Sequence, residues 1–342
     1  MTLGFDLGTS QVVIWSSARG IVLREPSIIA VDQKDKHIIA CGSEARAMWG
    51  RAPESIEVIR PIRKGVISDY DYAERMIRQF VRRVCAYKIM KPRAALSVPA
   101  CVTEVEQRSA VEAISATGVR RVTLMEEAVA AAVGAGLDVT APRGCMAADI
   151  GAGTTDVAVL SLGGVVSSRS VRVGGDDLDN AIVHYLRTEH GLVIGELTAE
   201  TVKIKLGGAS VRDGDPTMRV PGRDAVSGLP ALREVHASEI VKAIAEPLAE
   251  IFACVQSALE STPPELAGDV MQQGLMLTGG GARLYGLPER LTQLTGVHCE
   301  VAEDAEDCVA RGTGQALKHA GHLSSGVYDV TQFDRPEDAF GE

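Results

Sequence analysis

The chain has 342 residues, an apolar fraction of 46% and a formal net charge of −10. That length suits about two domains with real cores. The acidic balance argues against a general nucleic-acid binder, which carries a basic face, so no nucleic-acid partner is expected. The seven cysteines, at 41, 85, 101, 145, 254, 299 and 308, show neither C-x-x-C spacing nor a metal-type pairing with histidine. They read as small core residues in a reducing compartment. The chain opens on a strand with no signal peptide, and no apolar run approaches the ~20 residues that span a bilayer. A cytoplasmic protein is expected.

Taken in order, short strands are expected at 3–7, 11–16, 20–23 and 28–31, a meander with tight turns. Residues 32–65 read as a small inserted subdomain of polar turns with a short helix over 43–49. Ala73, Met76, Ile77, Phe80, Val81 and Val84 recur at helical spacing over 71–86. The basic run Arg82, Arg83, Lys88, Lys91 and Arg93 reads as the solvated end of that helix. A buried strand at 94–98, a helix over 104–117, a strand at 122–125 and an Ala-rich helix over 128–135 complete a β-α-β-α unit.

The second half repeats this order, with strands at 146–150, 156–161 and 167–173, then a helix over 177–189. A helix around 199–206 and a Gly/Pro-rich polar stretch at 207–230 suggest a second inserted subdomain. One long amphipathic helix is expected over 239–260, then a capping box with Thr262 as N-cap, Pro263 at N1 and Glu265 at N3. Strand 275–278 leads into Gly279-Gly280-Gly281, and the chain turns polar and acidic after Leu323.

The chemistry lies in a phrase that occurs twice. Phe5-Asp6-Leu7-Gly8-Thr9-Ser10-Gln11 near the start returns as Ala148-Asp149-Ile150-Gly151-Ala152-Gly153-Thr154. Each copy is a strand, an acidic residue and a Gly/Thr turn whose backbone N–H groups can face an anion. Two such turns can grip one polyphosphate from both sides of a cleft. Asp6 and Asp149 would repel phosphate directly, so their sensible role is to hold the waters of a Mg²⁺ ion. Gly279, Gly280, Gly281 and Ala282, at a strand end, suit close approach to a sugar or phosphate. Glu127, at the end of strand 122–125, could orient or deprotonate an attacking water. Neither a Walker motif nor a kinase-type glycine loop is present.

At these residues the chain resembles the actin, sugar-kinase and heat-shock-chaperone ATPase superfamily, and within it the MreB-type bacterial actins. The likeness runs through Gly20–Ser27, Ile59-Arg60-Pro61, Gly65–Tyr70, Val98-Pro99, Thr103–Arg108, Thr262–Leu266, Leu277–Gly281 and Gly312-Thr313-Gly314, and so covers roughly residues 3 to 320.

The resemblance implies an α/β, actin-like (ribonuclease-H-like) fold with the nucleotide in a cleft between two duplicated domains. The first large subdomain would hold 1–31, 66–142 and 309–325, with 32–65 inserted as the small one. The second would hold 143–178 and 235–308, with 179–234 inserted, leaving 326–342 as a flexible acidic tail. It implies ATP and Mg²⁺ as cofactors and slow ATP hydrolysis, with Glu127 activating the water and Thr154 helping to place it. Gly8, Thr9, Ser10 and Gln11, with Gly151, Ala152 and Gly153, match the phosphate loops. Ala199, Glu200, Thr201, Val202 and Lys203 match the helix lining the adenosine pocket.

It further implies protofilaments of many copies on the inner membrane, organising cell-wall synthesis and rod shape with partners of the RodZ and MreC type. The family's membrane loop corresponds to Tyr87-Lys88-Ile89-Met90-Lys91, with Tyr87, Ile89 and Met90 as its apolar residues. Two positions depart from the family: Ala128 follows Glu127 where proline is usual, and Ala152 stands where glycine is usual. Those departures keep open a specialised actin paralogue, for partition or organelle positioning. A small-molecule kinase of the same superfamily would need a sugar-binding loop, and a chaperone-like ATPase a peptide-binding domain; no segment resembles either.

Overall fold

The computed structural model describes residues 2–85, 92–319, 323 and 325–329. It opens with β1 (Thr2–Leu7), β2 (Gln11–Ser16) and β3 (Gly20–Pro26), an antiparallel meander that pairs Phe5 with Ile14 and Ile14 with Leu23. The next strand leaves this sheet. β4 (Ile29–Asp32) pairs with β5 (Ile38–Cys41) and β6 (Ile56–Ile59), and α1 (Ser43–Met48) covers them. The strand expected at 28–31 thus belongs to the small subdomain and not to the meander, because Ile29 finds its partners at Cys41 and Ile59.

A short hairpin, β7 (Ile62–Arg63) and β8 (Val66–Ile67), returns the chain to the large subdomain. The Asp69 carboxylate caps α2 (Tyr70–Val84) by accepting from the Tyr72 N–H at 3.2 Å. The helix buries the apolar stripe read from its sequence, Ala73 through Val84. β9 (Arg93–Val98), α3 (Glu104–Ser115), β10 (Arg121–Glu126) and α4 (Glu127–Gly134) follow. Thr103 and Glu106 close a full capping box on α3.

The second half runs β11 (Cys145–Ile150), β12 (Thr155–Ser161), β13 (Gly164–Val171), α5 (Gly175–Glu189), β14 (Leu192–Val193) and α6 (Glu196–Leu206). A long hairpin, β15 (Thr217–Asp224) and β16 (Pro230–His236), occupies much of the polar stretch expected after 207. The helix expected over 239–260 is two helices, α7 (Ala237–Ala243) and α8 (Ala245–Glu260), meeting at Ile244. Pro247 explains the break: it offers no N–H to the Ala243 carbonyl and its ring crowds that position.

α9 (Pro264–Gln273) is not capped by Thr262. That hydroxyl donates back to the Ala258 carbonyl at 2.8 Å, and Pro263 takes the N-cap position. β17 (Leu275–Thr278), α10 (Leu287–Thr295), β18 (Cys299–Val301), α11 (Cys308–His319) and β19 (Val327–Asp329) complete the chain. β19 pairs antiparallel with β10, so the first residues of the expected loose tail are an edge strand.

The two main sheets share one plan. The first has the order β3-β2-β1-β9-β10-β19 and the second β13-β12-β11-β17-β18. In each, an antiparallel meander is continued by two parallel strands. Each half has its own apolar core, around Phe5, Phe80 and Ile114 in the first and Ile182, Ile251 and Leu291 in the second. A third cluster joins them, built on the buried alanines of α4 with Met125, Cys145, Leu160 and Val309. There α4 and α11 nearly touch: a methyl on Gly312 would fall 1.8 Å from the Ala130 carbonyl oxygen, and one on Gly134 1.8 Å from that of Cys308. Only glycine permits so close a crossing.

Candidate functional site

A cleft of about 490 Å³ lies between the halves, a size that suits a nucleotide. Its walls include Asp6, Gly8, Thr9, Ser10 and Gln11 from the first half, and Asp149, Gly151, Ala152, Gly153 and Thr154 from the second. Glu127, Glu200, Lys203, Gly279, Gly280 and Gly281 complete the set of sequence-derived residues in it.

Ala199, Val202 and Ala282, expected with them, are buried in the core of the second half, and Thr201 is exposed with its hydroxyl turned back to the Leu197 carbonyl. Those four are neighbours in sequence of cleft residues but face elsewhere, as helical geometry requires. Tyr87, Ile89 and Met90 lie outside the described residues.

The two turns are held from behind and left open in front. The Ser27 hydroxyl donates to the Gly8 carbonyl at 2.6 Å, and the Gly65 N–H donates to Thr9 Oγ1 at 2.9 Å. On the other side, the Gly175 and Asp176 N–H groups donate to the Gly151 and Ala152 carbonyls at 3.0 and 2.8 Å. Among the described residues, the N–H groups of Thr9, Ser10, Ala152 and Gly153 have no acceptor. Donors held in place without partners are what a polyphosphate needs.

Gly279 sets the third wall. Its φ of 79° is unfavourable for other residues, and a methyl there would lie 2.4 Å from the Ile150 carbonyl oxygen. Gly279→Ala is therefore expected to cost about 2–4 kcal/mol, read from the urea midpoint. An unchanged midpoint would contradict this geometry.

The floor is acidic. Glu127 and Asp149 are buried, and Asp6, which is half-buried, lines the cleft beside them. Burial, with repulsion from Asp149, pushes the Asp6 carboxyl up to about 8. Burial pushes Asp149 up to about 7, against a 2.7 Å hydrogen bond from the Thr278 hydroxyl. Glu127 is raised well above its usual range by burial first, then by the charges of Asp156, Asp6 and Asp149.

Asp156, which the sequence reading passed over, is buried directly across the β11–β12 ladder from Asp149. It accepts from the Ala100 N–H at 2.9 Å, and burial lifts it to about 6. No group of three or more His, Cys, Asp or Glu side chains among the described residues could hold a metal directly. Two raised carboxylates beside the phosphate turns fit a cation held through its waters, which would relieve their repulsion.

Ion pairs bridge the two halves beside the cleft. Arg60 reaches Asp176 at 2.6 Å, Arg46 pairs with Glu200, and Lys64 with Asp177. On another edge Arg172 meets Glu106 at 2.9 Å, and Arg24 pairs with Glu306 and Asp307. Inside, Lys203 is held by Asp179 and the Gly175 carbonyl, both at 2.8 Å. Asp179, Arg212, Leu284 and Tyr285 also line the cleft. No local motif marked these residues, because the fold alone brings positions so far apart in sequence together.

A duplicated α/β fold with a small subdomain on each half and paired Gly/Thr turns across the cleft defines an actin-like protein. The sequence model of the MreB/Mbl protein family matches residues 1–325. The chain belongs to that family. It is 44% identical over 333 residues to the cell shape-determining protein MreB of Escherichia coli K12, covering 94% of this chain and 96% of that one. It is 42% identical over 322 residues to the cell shape-determining protein Mbl of Bacillus subtilis, covering 94% and 97%. Among solved structures, MreB5 of Spiroplasma citri bound to ADP superposes with a TM-score of 0.88 at 34% identity, over 93% of this chain and 96% of that one. A MamK double helical filament, at 21% identity and a TM-score of 0.78 over 93% and 98%, shares the fold.

Proposed function

We propose that this chain is an ATP-dependent, filament-forming bacterial actin that assembles on the inner membrane and organises cell-wall synthesis and rod shape. One observation carries the ATPase part: phosphate-facing turns from both halves and the buried Glu127 line the same cleft. Relatives named for determining cell shape, and S. citri MreB5 structures bound to ADP and to AMPPNP, support the reading.

In this mechanism the open N–H groups at 9, 10, 152 and 153 hold the β- and γ-phosphates. Asp6 and Asp149 would hold the waters of Mg²⁺, whose chemistry is to neutralise charge on the phosphate oxygens. Glu127, ionised, accepts the proton of a water that Thr154 helps to orient for in-line attack on the γ-phosphorus, as the bond to the β–γ bridging oxygen breaks and ADP leaves. Ala128 leaves the backbone after Glu127 freer than a proline would, which suits slow turnover tied to polymer dynamics. Partners of the RodZ and MreC type and a cytoplasmic, membrane-peripheral location complete the proposal.

The test is pelleting and negative-stain microscopy of the full chain with Mg-ATP, Mg-ADP or no nucleotide, with and without anionic liposomes. Nucleotide-dependent filaments on liposomes are expected. Ile89→Glu with Met90→Glu should reduce co-sedimentation with liposomes several-fold, because weak apolar contacts add along a filament. A monomer that binds ATP but never assembles would overturn the filament reading, and unaltered liposome binding by the double variant would remove the loop as the anchor.

A further inference from the structure

A short strap near the C-terminal end of the chain joins the two halves, and it does so through consecutive residues. The Ser325 hydroxyl accepts from the Val165 N–H of β13, in the second half, at 2.7 Å. The Gly326 carbonyl accepts from the Glu126 N–H, at the end of β10 in the first half, at 3.0 Å. From there β19 runs along β10, placing Val327 opposite Met125.

Each bond has a local reason. β13 is the outer strand of its sheet, and without β19 so would be β10. Outer strands carry backbone groups that no neighbouring strand claims. The strap takes up such a group from each half. Leu323 and Val327 pack into the third apolar cluster, which holds Met125, Val129 and Leu160. Gly326 is buried between the halves with a φ of 75°. A methyl there would fall 2.8 Å from Val129 Cγ2 on α4 and 3.1 Å from Val165 Cγ2 on β13.

The tie has no slack. Adjacent Cα atoms are about 3.8 Å apart across a trans peptide. A hydrogen bond tolerates only a few tenths of an ångström. If β13 moves against β10 by more than about 1 Å, one bond breaks or Glu126 is dragged along. Glu126 is the N-cap of α4, and Glu127 is the first residue of that helix.

We infer that Ser325 and Gly326 are positioning residues that tie the angle between the halves to the backbone just before Glu127, and so set the aim of its carboxylate. The effect on rate rests on the ATPase reading above; the tie itself is a property of the fold.

The experiment compares the full wild-type chain with Ser325→Ala, Ser325→Thr and Gly326→Ala. It measures residue-resolved amide hydrogen exchange without nucleotide, single-turnover phosphate release from Mg-ATP, and Mg-ADP affinity by calorimetry. In Ser325→Ala the amides of Val165 and Glu126 should both exchange about fivefold faster, although only Val165 loses its acceptor. Ser325→Thr keeps the acceptor and should match wild type. Phosphate release should fall about tenfold in Ser325→Ala and in Gly326→Ala, with ADP affinity unchanged. Added to Glu127→Ala, the same substitutions should change phosphate release no further, because they act through that residue.

Faster exchange at Val165 alone, or at neither amide, would overturn the tie. Unchanged phosphate release would overturn the positioning role. So would a loss matched by ADP affinity, or one that persists in the Glu127→Ala background. A wild-type chain that shows the coupled exchange yet hydrolyses no ATP would instead overturn the ATPase reading and leave the tie standing.

Discussion

Glu127→Ala is expected to cut phosphate release from Mg-ATP by about 10²–10⁴-fold while nucleotide binding and filament assembly persist. Glu127 is the first residue of α4, 7% exposed, and lines the cleft with the two phosphate turns. Its carboxyl is raised by burial and by Asp156, Asp6 and Asp149. A general base must be ionised to act and this carboxyl is raised, so wild-type turnover should rise with pH above the usual carboxylate range. A cation seated by Asp6 and Asp149 would pull Glu127 back toward ionisation and shift that rise to lower pH. Phosphate release unchanged in Glu127→Ala, with binding intact, would remove this residue from the mechanism.

The second large effect concerns stability without a metal. Asp6 and Asp149 are raised in the folded chain, to about 8 and about 7, from about 3.9 when unfolded. The native state then binds more protons than the unfolded one between those limits, so stability falls as pH rises from about 4 to about 8. In chelator, the melting temperature should drop by about 5–10 °C between pH 5 and pH 8. Asp6→Asn should flatten part of that slope, since it removes the more strongly raised of the pair while Asp149, Asp156 and Glu127 stay raised. Mg-ADP should flatten it in the wild type and much less in the variant. A wild-type melting temperature independent of pH in chelator would show that the carboxylate floor carries no such strain.

The parts of this architecture written in local pattern were legible, and those set by distant pairing were not. Both Asp-turn units announce themselves through composition, and they line the cleft as read. The stripe of α2 has the helical period and is buried as read. The strand Ile29–Asp32 looks like its predecessors, however, and only its partners at 38–41 and 56–59 place it in another sheet.

The hairpin β15–β16 escaped because it is mostly exposed. Only Val220 and Val235 are fully buried in its strands, so its alternation is weak in apolar residues, and Gly and Pro suggested a loop. Thr262 has the right letters for a cap, but a carbonyl of the preceding helix claims its hydroxyl. Of the residues taken as a run on one helix, only those that the helical turn aims inward line the cleft. That is why Glu200 and Lys203 line the site and Ala199, Thr201 and Val202 do not.

The glycine crossing of α4 and α11 has a mechanical meaning. α4 carries Glu127 at one end and Gly134, pressed against α11, at the other. Eight residues of helix make a lever about 12 Å long. A turn of about 10° at the pressed end would swing its tip by roughly 2 Å, more than the tolerance of a well-aimed attack on phosphorus. On the proposed function, a filament neighbour that shifts α4 against α11 would retune the aim of Glu127 without touching the nucleotide.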